Sequence, residues 1–563
     1  MRDRRYLLLI PIAALLAVLP LMLKGCSCGD DFGFHLLNWL EVSSQWKQGV
    51  FLPHWDFTAA GNSGEPRFVF YPPLSWAIGA LAGFVLPWAA VPNAFIWLAL
   101  TTCGFTMYRL AAEWTNEGGA LIAATFYMVH PYMLFTFYQR SAYAELLAAA
   151  WIPLLLLALL RPRITIPGIA LPVALLWLTN DPAAVMGCYL LALLAMVRVP
   201  WMFWSKKQVR DGFRDAVRIM AGTCLGLGLA GFYLVPAIVE QRWVQIRMEN
   251  VKGTRIQDNF LFGNFGGPSH HAILRTASIC SVALLVVIAV LAAIAIFRSA
   301  RGPKASERSL RRFVIAALLT ATVVIGFLLT APSYLIWRDI PDLKYLQFPW
   351  RWDVIFGAIS AMLLAMVFGR IRVRPVAAIS IALIIPLAFS LEGDSIFRQV
   401  CKHGKDVPDL VASFYSGTVR YSDEYTPRSS DPQAVGHDNP NAWISGSPDG
   451  APLAGVPVKH SVEIRDRLDF QVSSPKAAFL VINVRDYPAW RVRIDGVADS
   501  QRPHRADGLI VASVRAGRSQ VDISYAVTPD QIAGWAVSAL ALAILIASWR
   551  FDRRRAASQL QLG

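Results

Sequence analysis

The chain has 563 residues, of which 55% are hydrophobic and only 16% charged, with a mean hydropathy of +0.44. Soluble domains carry about a quarter charged residues, so this composition excludes a disordered chain and a single soluble globule and points to spans of about 17–25 apolar residues that cross a bilayer. The formal net charge of +15 does not mark a nucleic-acid binder, because Lys and Arg gather between apolar runs and not on a face interleaved with aromatics.

Met1 to Arg5 is basic and Tyr6 to Leu23 apolar, which predicts a first helix running from cytoplasm to outside. Lys24 stands where a lipoprotein signal needs a small residue, so this helix is expected to be retained. Cys26 and Cys28 then fall on the outer side, where C-x-C spacing is tight for a direct bridge. Further spans are expected near 91–112, 119–137, 142–160, 164–180, 183–199, 217–238, 276–297, 313–331, 352–369, 375–391 and 531–549. Leu74 to Trp88, bracketed by Pro72, Pro73, Pro87 and Pro92, reads as an interfacial helix of the first outer loop. The basic clusters at Arg198–Arg218 (with Lys206 and Lys207), Arg298–Arg312 (with Arg301), Arg370–Arg374 and Arg550–Arg555 then all fall inside.

The fold expected is a polytopic α-helical membrane protein of about 12–14 spanning helices. Residues 1–391 form the transmembrane module, with a first outer loop at 24–90. Residues 392–530 are polar and rich in Pro, Gly, Ser and Asp, hence extramembrane. Their second half alternates as short strands, at Ala478–Val484, Trp490–Ile494, Gly508–Val514 and Gln520–Val527, which predicts a β-sandwich-like domain. Residues 531–563 supply the last helix and a basic tail.

Candidate chemistry begins at Asp30, Asp31 and His35, immediately after the first helix. A carboxylate there can deprotonate an acceptor hydroxyl while its neighbour or His35 holds a divalent cation, Mg or Mn. The bland alternative is an acidic helix cap. Gln139 to Leu146 reads QRSAYAEL, and Glu145, one turn into a helix, calls for pairing with Arg140 or a metal, which makes Asp30 and Glu145 candidate metal ligands. Gly64 to Leu74 reads GEPRFVFYPPL and carries Arg67 and Tyr71; Leu346 to Trp352 reads LQFPWRW, where Arg351 can clamp a phosphate or simply snorkel. Trp39, Trp55, Tyr71 and Tyr143 are candidates to pack on sugar faces, or core. The Asn180-Asp181-Pro182 turn and His270-His271 read as loop or cap residues.

Taken together, the Asp pair with its His, GEPRFVFYPPL, QRSAYAEL, FPWRW and DYPAWRVRIDG (Asp486–Gly496) resemble the bacterial YfhO-like and 6-pyruvoyl-tetrahydropterin synthase-related membrane proteins, which look like members of the GT-C superfamily of glycosyltransferases. The resemblance covers nearly the whole chain. It implies inverting transfer of a sugar from a polyprenyl-phosphate donor to a lipid, glycan or protein acceptor of the cell envelope, outside a bacterial cytoplasmic membrane. Asp30 and Asp31 stand where the superfamily's outer-loop carboxylate is expected. Glu145 resembles the place of its metal-holding acidic motif, with one carboxylate in place of a pair. On this resemblance Asp31, Asp30 and His35 are the expected catalytic residues, and Arg140, Arg351, Arg67, Tyr71 and Tyr143 bind substrate. The rival readings are a transporter or flippase and a non-catalytic scaffold for surface polymers; transporters place charges at the bilayer midplane, whereas here they gather at one outer face.

Overall fold

Among the described residues nine helices are long and apolar enough to cross a membrane: Arg5–Lys24, Val91–Ala111, Tyr143–Leu160, Asp181–Met202, Pro268–Ser299, Glu307–Leu328, Pro349–Phe368, Pro375–Phe397 and Pro529–Arg550. The number rises to eleven if two bent pairs, Glu117–Val129 with Pro131–Arg140 (43°) and Arg210–Leu229 with Gly231–Trp243 (76°), are one crossing each. The computed structural model describes residues 5–561 apart from 207–208, 247–251, 264–265, 300–304, 370, 372, 420–423, 432–433, 435, 437–438 and 454–457. Lys207, Arg301, Arg370 and Arg372 therefore lie outside the described residues.

Every expected span coincides with a helix, but the one at 164–180 is short. Ile166–Thr179 starts where Thr165 accepts a hydrogen bond from the Gly168 amide and stops before extended Asn180. Its 14 residues rise only about 21 Å, short of a bilayer core. Prolines sit in the first turns of Pro73–Val85, Val91–Ala111 and Pro375–Phe397, where a missing N–H costs nothing.

Short loops join the basic end of the bundle. Glu113 bridges Arg109 (2.5 Å) and Arg161 (2.6 Å), and the Asn116 amide donates to the Ile371 carbonyl (2.6 Å). Arg198, in the basic cluster expected on the cytoplasmic side, is buried: it binds Asp215 (2.8 Å) and the Leu159 and Arg161 carbonyls (2.7 Å each). A guanidinium has enough donors to satisfy the orphan carbonyls of a helix end and a carboxylate at once.

The opposite end carries everything else. Among the described residues ten strands occur: β1 (Val244–Ile246), β2 (Tyr425–Pro427), β3 (Ala442–Ser445), β4 (Val458–Ile464), β5 (Arg467–Ser474), β6 (Ala478–Arg485), β7 (Trp490–Ile494), β8 (Val497–Ala498), β9 (Leu509–Val514) and β10 (Gly517–Tyr525). β1 and β2 pair with each other. The rest form two antiparallel sheets, ordered β4-β5-β10-β7-β8 and β3-β6-β9. Alternation buries Phe470, Val472, Leu480, Ile482, Val521 and Ile523 between them, the period of two that defines a half-buried strand. Asp495 (φ 51°) and Gly496 (φ 80°) turn β7 into β8 with the positive φ pair of a tight hairpin.

Between bundle and sandwich lies the first loop. Trp55 packs on Tyr487 and Trp490 (5.7 and 5.6 Å between ring centroids), and the Arg485 amide donates to the Ser63 carbonyl (2.9 Å). The helix Pro73–Val85 lies against Phe32–Lys47, with Gly79 admitting the Trp39 ring. The segment read as interfacial is thus a 13-residue helix packed on a helix of the first loop, too short to cross a bilayer core.

Candidate active site

Two chain segments are tied together to make the site. The Ser27 hydroxyl donates to the Tyr138 carbonyl (2.5 Å), the Gly29 amide to Ser141 Oγ (3.0 Å), and the Asp31 amide to the Arg140 carbonyl (2.8 Å). A Cβ at Gly29 would collide with the Gln139 carbonyl, so only glycine permits this approach. QRSAYAEL is a sharp corner: Phe135–Arg140 is a π-helical turn, Ser141 is left-handed (φ 52°), and Tyr143 begins the next helix. The corner puts Arg140 and Glu145 beside Asp31. A disulfide between Cys28 and Cys401, 373 residues apart, closes the same region. The Cys26–Cys28 bridge considered from spacing is not formed; Cys26 is a free thiol.

These residues line one wall of a cavity of about 920 Å³ at the end of the bundle that bears the sandwich. Glu145 binds Arg140 (2.6 Å), Arg351 (3.4 Å) and the Tyr132 hydroxyl. Arg140 also lies 3.6 Å from Asp31 and over the Trp350 ring (4.9 Å), and Arg351 over Phe348 (5.0 Å). Aromatic faces and one shared carboxylate hold two guanidiniums in a fixed orientation. Asp31 stands at the start of Phe32–Lys47, but its side chain makes no capping hydrogen bond and remains 42% exposed. The cap role is thereby unfilled. Desolvation inside the cavity raises the Asp31 pKa above the ordinary carboxylate value, with Arg140 and Arg351 opposing the rise and Glu145 adding to it. Asp30 is raised likewise, by desolvation and then by Asp31.

His35 borders the cavity; its Nε2 accepts a hydrogen bond from the Tyr143 amide (3.1 Å), and burial, with the Arg140 charge adding, pushes its pKa down to about 3, so the imidazole is neutral. Other expected site residues belong to the core instead. Tyr143 and Trp39 are stacked (5.4 Å) and buried. Trp55 is buried against the sandwich. Arg67 is 1% exposed and bound by Asp56 (2.6 Å), Glu65 (2.7 Å) and Asn38 (3.1 Å), because GEPRF folds back as the bridge that pairs Asp56 with Glu65. Of the expected substrate-binding residues, Arg140, Arg351 and Tyr71 reach the cavity.

The donors do not fit a divalent cation. Among the described residues no three His, Cys, Asp or Glu side chains stand close enough to share one, and Glu145, proposed with Asp30 as ligand, is taken by two guanidiniums and a phenol. A metal at Glu145 would sit against like charge.

The far wall was not legible from local motifs. Asp181, Tyr233, Glu424 and Tyr425 line it, from three distant parts of the chain. The Asn180-Asp181-Pro182 turn was the one signal; Asn180 does cap, accepting from the Ala183 amide (3.0 Å), whereas Asp181 accepts the Tyr233 hydroxyl (2.7 Å). Burial pushes the Glu424 carboxyl up to about 7, against the opposing Arg67 charge and with Glu65 and Asp31 adding to the rise.

No family model matches the chain, and no curated protein matches it. Among solved structures it is similar to the arabinofuranosyltransferase AftD from Mycobacteria, in a mutant form at 18% identity, 69% of this chain and TM-score 0.41, and in a second structure at 16%, 69% and 0.40. It is also similar to the Archaeoglobus fulgidus oligosaccharyltransferase in complex with zinc and sulfate, at 15% identity, 77% of this chain and TM-score 0.35. The chain spans 28% and 26% of the AftD chains and 58% of the oligosaccharyltransferase.

Proposed function

We propose that the protein is a multi-pass membrane glycosyltransferase of the GT-C type, which transfers a sugar from a polyprenyl-phosphate donor to a cell-envelope acceptor on the outer side of a bacterial cytoplasmic membrane. One observation carries the reading: a reachable carboxylate, Asp31, shares one cavity with two aromatic-backed guanidiniums, Arg140 and Arg351, at the end of the helix bundle that bears the sandwich. In the transfer, the acceptor oxygen attacks the anomeric carbon. Its proton passes to Asp31, the bond from that carbon to the phosphate oxygen breaks, and the lipid phosphate departs with the electron pair into the field of Arg351 and Arg140. A single in-line displacement inverts the anomeric centre. The phosphate is a stable anionic leaving group, so a base, an anion clamp and positioning suffice.

Sidedness is supported by two independent features. Basic residues crowd the bundle end away from the cavity, as inward-facing loops do. The Cys28–Cys401 disulfide sits at the cavity end, and such bonds persist outside the cytoplasm.

The test is turnover by the full chain in lipid nanodiscs supplied with radiolabelled polyprenyl-phosphate sugars, together with thiol labelling of intact cells. Release of polyprenyl phosphate, with cysteines placed at 30 and 486 labelled and one at 163 unlabelled, is the expected outcome. Labelling at 163 alone would invert the topology. Absence of turnover for every lipid-linked sugar, in folded protein, would leave a transporter or scaffold.

A further inference from the structure

The transfer chemistry leaves the far wall of the cavity unused. There the Tyr233 hydroxyl lies 2.7 Å from Asp181 Oδ2 and 2.8 Å from the Phe70 carbonyl, two acceptors for one proton. Asp181 lines the cavity, and its Oδ1 has no hydrogen-bond partner. A buried carboxylate oxygen left unmatched is costly, and a donor arriving from the cavity relieves that cost.

Glu424 and Tyr425 complete this wall, and the GEPRFVFYPPL segment delivers them. Glu65 Oε2 accepts the Glu424 and Tyr425 amides (2.8 and 3.0 Å), and the Phe70 ring stacks on Tyr425 at 5.1 Å and 16°. The buried Arg67 cluster therefore positions the far wall without touching the cavity. Tyr71 stands between the walls, within Coulombic reach of Asp31, Glu424 and Asp181.

We infer that this wall is the acceptor subsite, and that it takes an uncharged carbohydrate whose hydroxyls donate to Asp181 and Glu424 while Tyr71 and Tyr425 pack on its C–H faces. The inference rests on the transfer proposed above. Three features select that ligand. Carboxylates repel the phosphate of the donor and confine it to the arginine wall. The unmatched Asp181 oxygen calls for a hydroxyl donor, and aromatic rings offer the flat apolar surface a sugar needs on its other side. At about 920 Å³ the cavity is near the upper end of ligand pockets, room for two reactants.

The experiment uses the full chain in lipid nanodiscs, free of sugar-headed detergent, with four probes: methyl α-mannopyranoside, methyl β-glucopyranoside, methyl β-galactopyranoside and methyl α-arabinofuranoside. Melting temperature reads binding, and turnover of the radiolabelled donor reads the acceptor and donor KM. At least one glycoside should raise the wild-type melting temperature and accept sugar. Asp181→Asn and Glu424→Gln should each raise its KM by roughly tenfold to a hundredfold, the worth of a hydrogen bond to a charged group, with donor KM within twofold. If one variant fails to fold, the other decides. Unchanged acceptor KM in a folded variant, a rise confined to the donor KM, a preference for methyl glucosaminide with its ammonium group, or no binding of any probe to the wild type would each overturn the subsite. Glycoside binding that depends on Asp181 and Glu424 without any turnover would instead sink the transferase reading and leave the sugar site standing.

Discussion

Asp31→Asn separates chemistry from architecture, because the structure gives its carboxylate little structural work. The side chain makes no cap hydrogen bond, is 42% exposed, and has its closest ion pair at 3.6 Å from Arg140. An exposed pair of that kind contributes about 0–1 kcal/mol, so the variant should melt within a few degrees of the wild type. Loss of a general base, by contrast, costs on the order of a hundredfold to ten-thousandfold in rate. The assay is kcat for release of polyprenyl phosphate beside a melting curve on the same preparation. Wild-type turnover should rise with pH and level off at an apparent pKa above the ordinary carboxylate value, since only the ionised form takes the proton and the folded pKa is raised. That pH limb should vanish in Asp31→Asn. Turnover within about threefold of the wild type, or a loss matched by unfolding, would refute the assignment; the full loss appearing in Asp30→Asn instead would move the base by one residue.

Arg67→Met should lower stability by about 3–5 kcal/mol, because it strands Asp56 and Glu65 as buried carboxylates, and melting in nanodiscs should show it. Glu145→Gln should raise the donor KM by releasing Arg140 and Arg351 from their shared anchor, while chelators leave wild-type turnover unchanged; chelator-sensitive turnover would restore a metal to the site. Glu424 is raised to about 7 in the fold, so the folded state binds the extra proton between its ordinary pKa and 7, and stability falls as pH rises through that window by up to about 1.4 kcal/mol per unit. Glu424→Gln should flatten the dependence of melting temperature on pH there.

Helices and strands were legible because their signals are local. A run of about 20 apolar residues has nowhere to go but the bilayer, and the alternation at Gly517–Tyr525 buries only one face. Asp31, Arg140 and Arg351 stood out for a related reason: charges beside apolar spans are expensive, so each had to be paired, solvated or used. Hydropathy could not separate Arg67 from Arg351, since both follow a proline closely and sit in aromatic-rich motifs; only burial shows that one is locked in a carboxylate cage while the other borders the cavity.

The sequence by itself thus determined the spans, the polar β-rich region beyond them and the level at which charges collect, all properties of short segments and their solvent. Tertiary structure alone decided the Cys28–Cys401 bridge, the capture of Glu145 by two arginines and the joining of Asp181 with Glu424 across one cavity. Each of those joins residues far apart in the chain, and such contacts follow from how helices pack and loops close, which no local pattern of residues encodes.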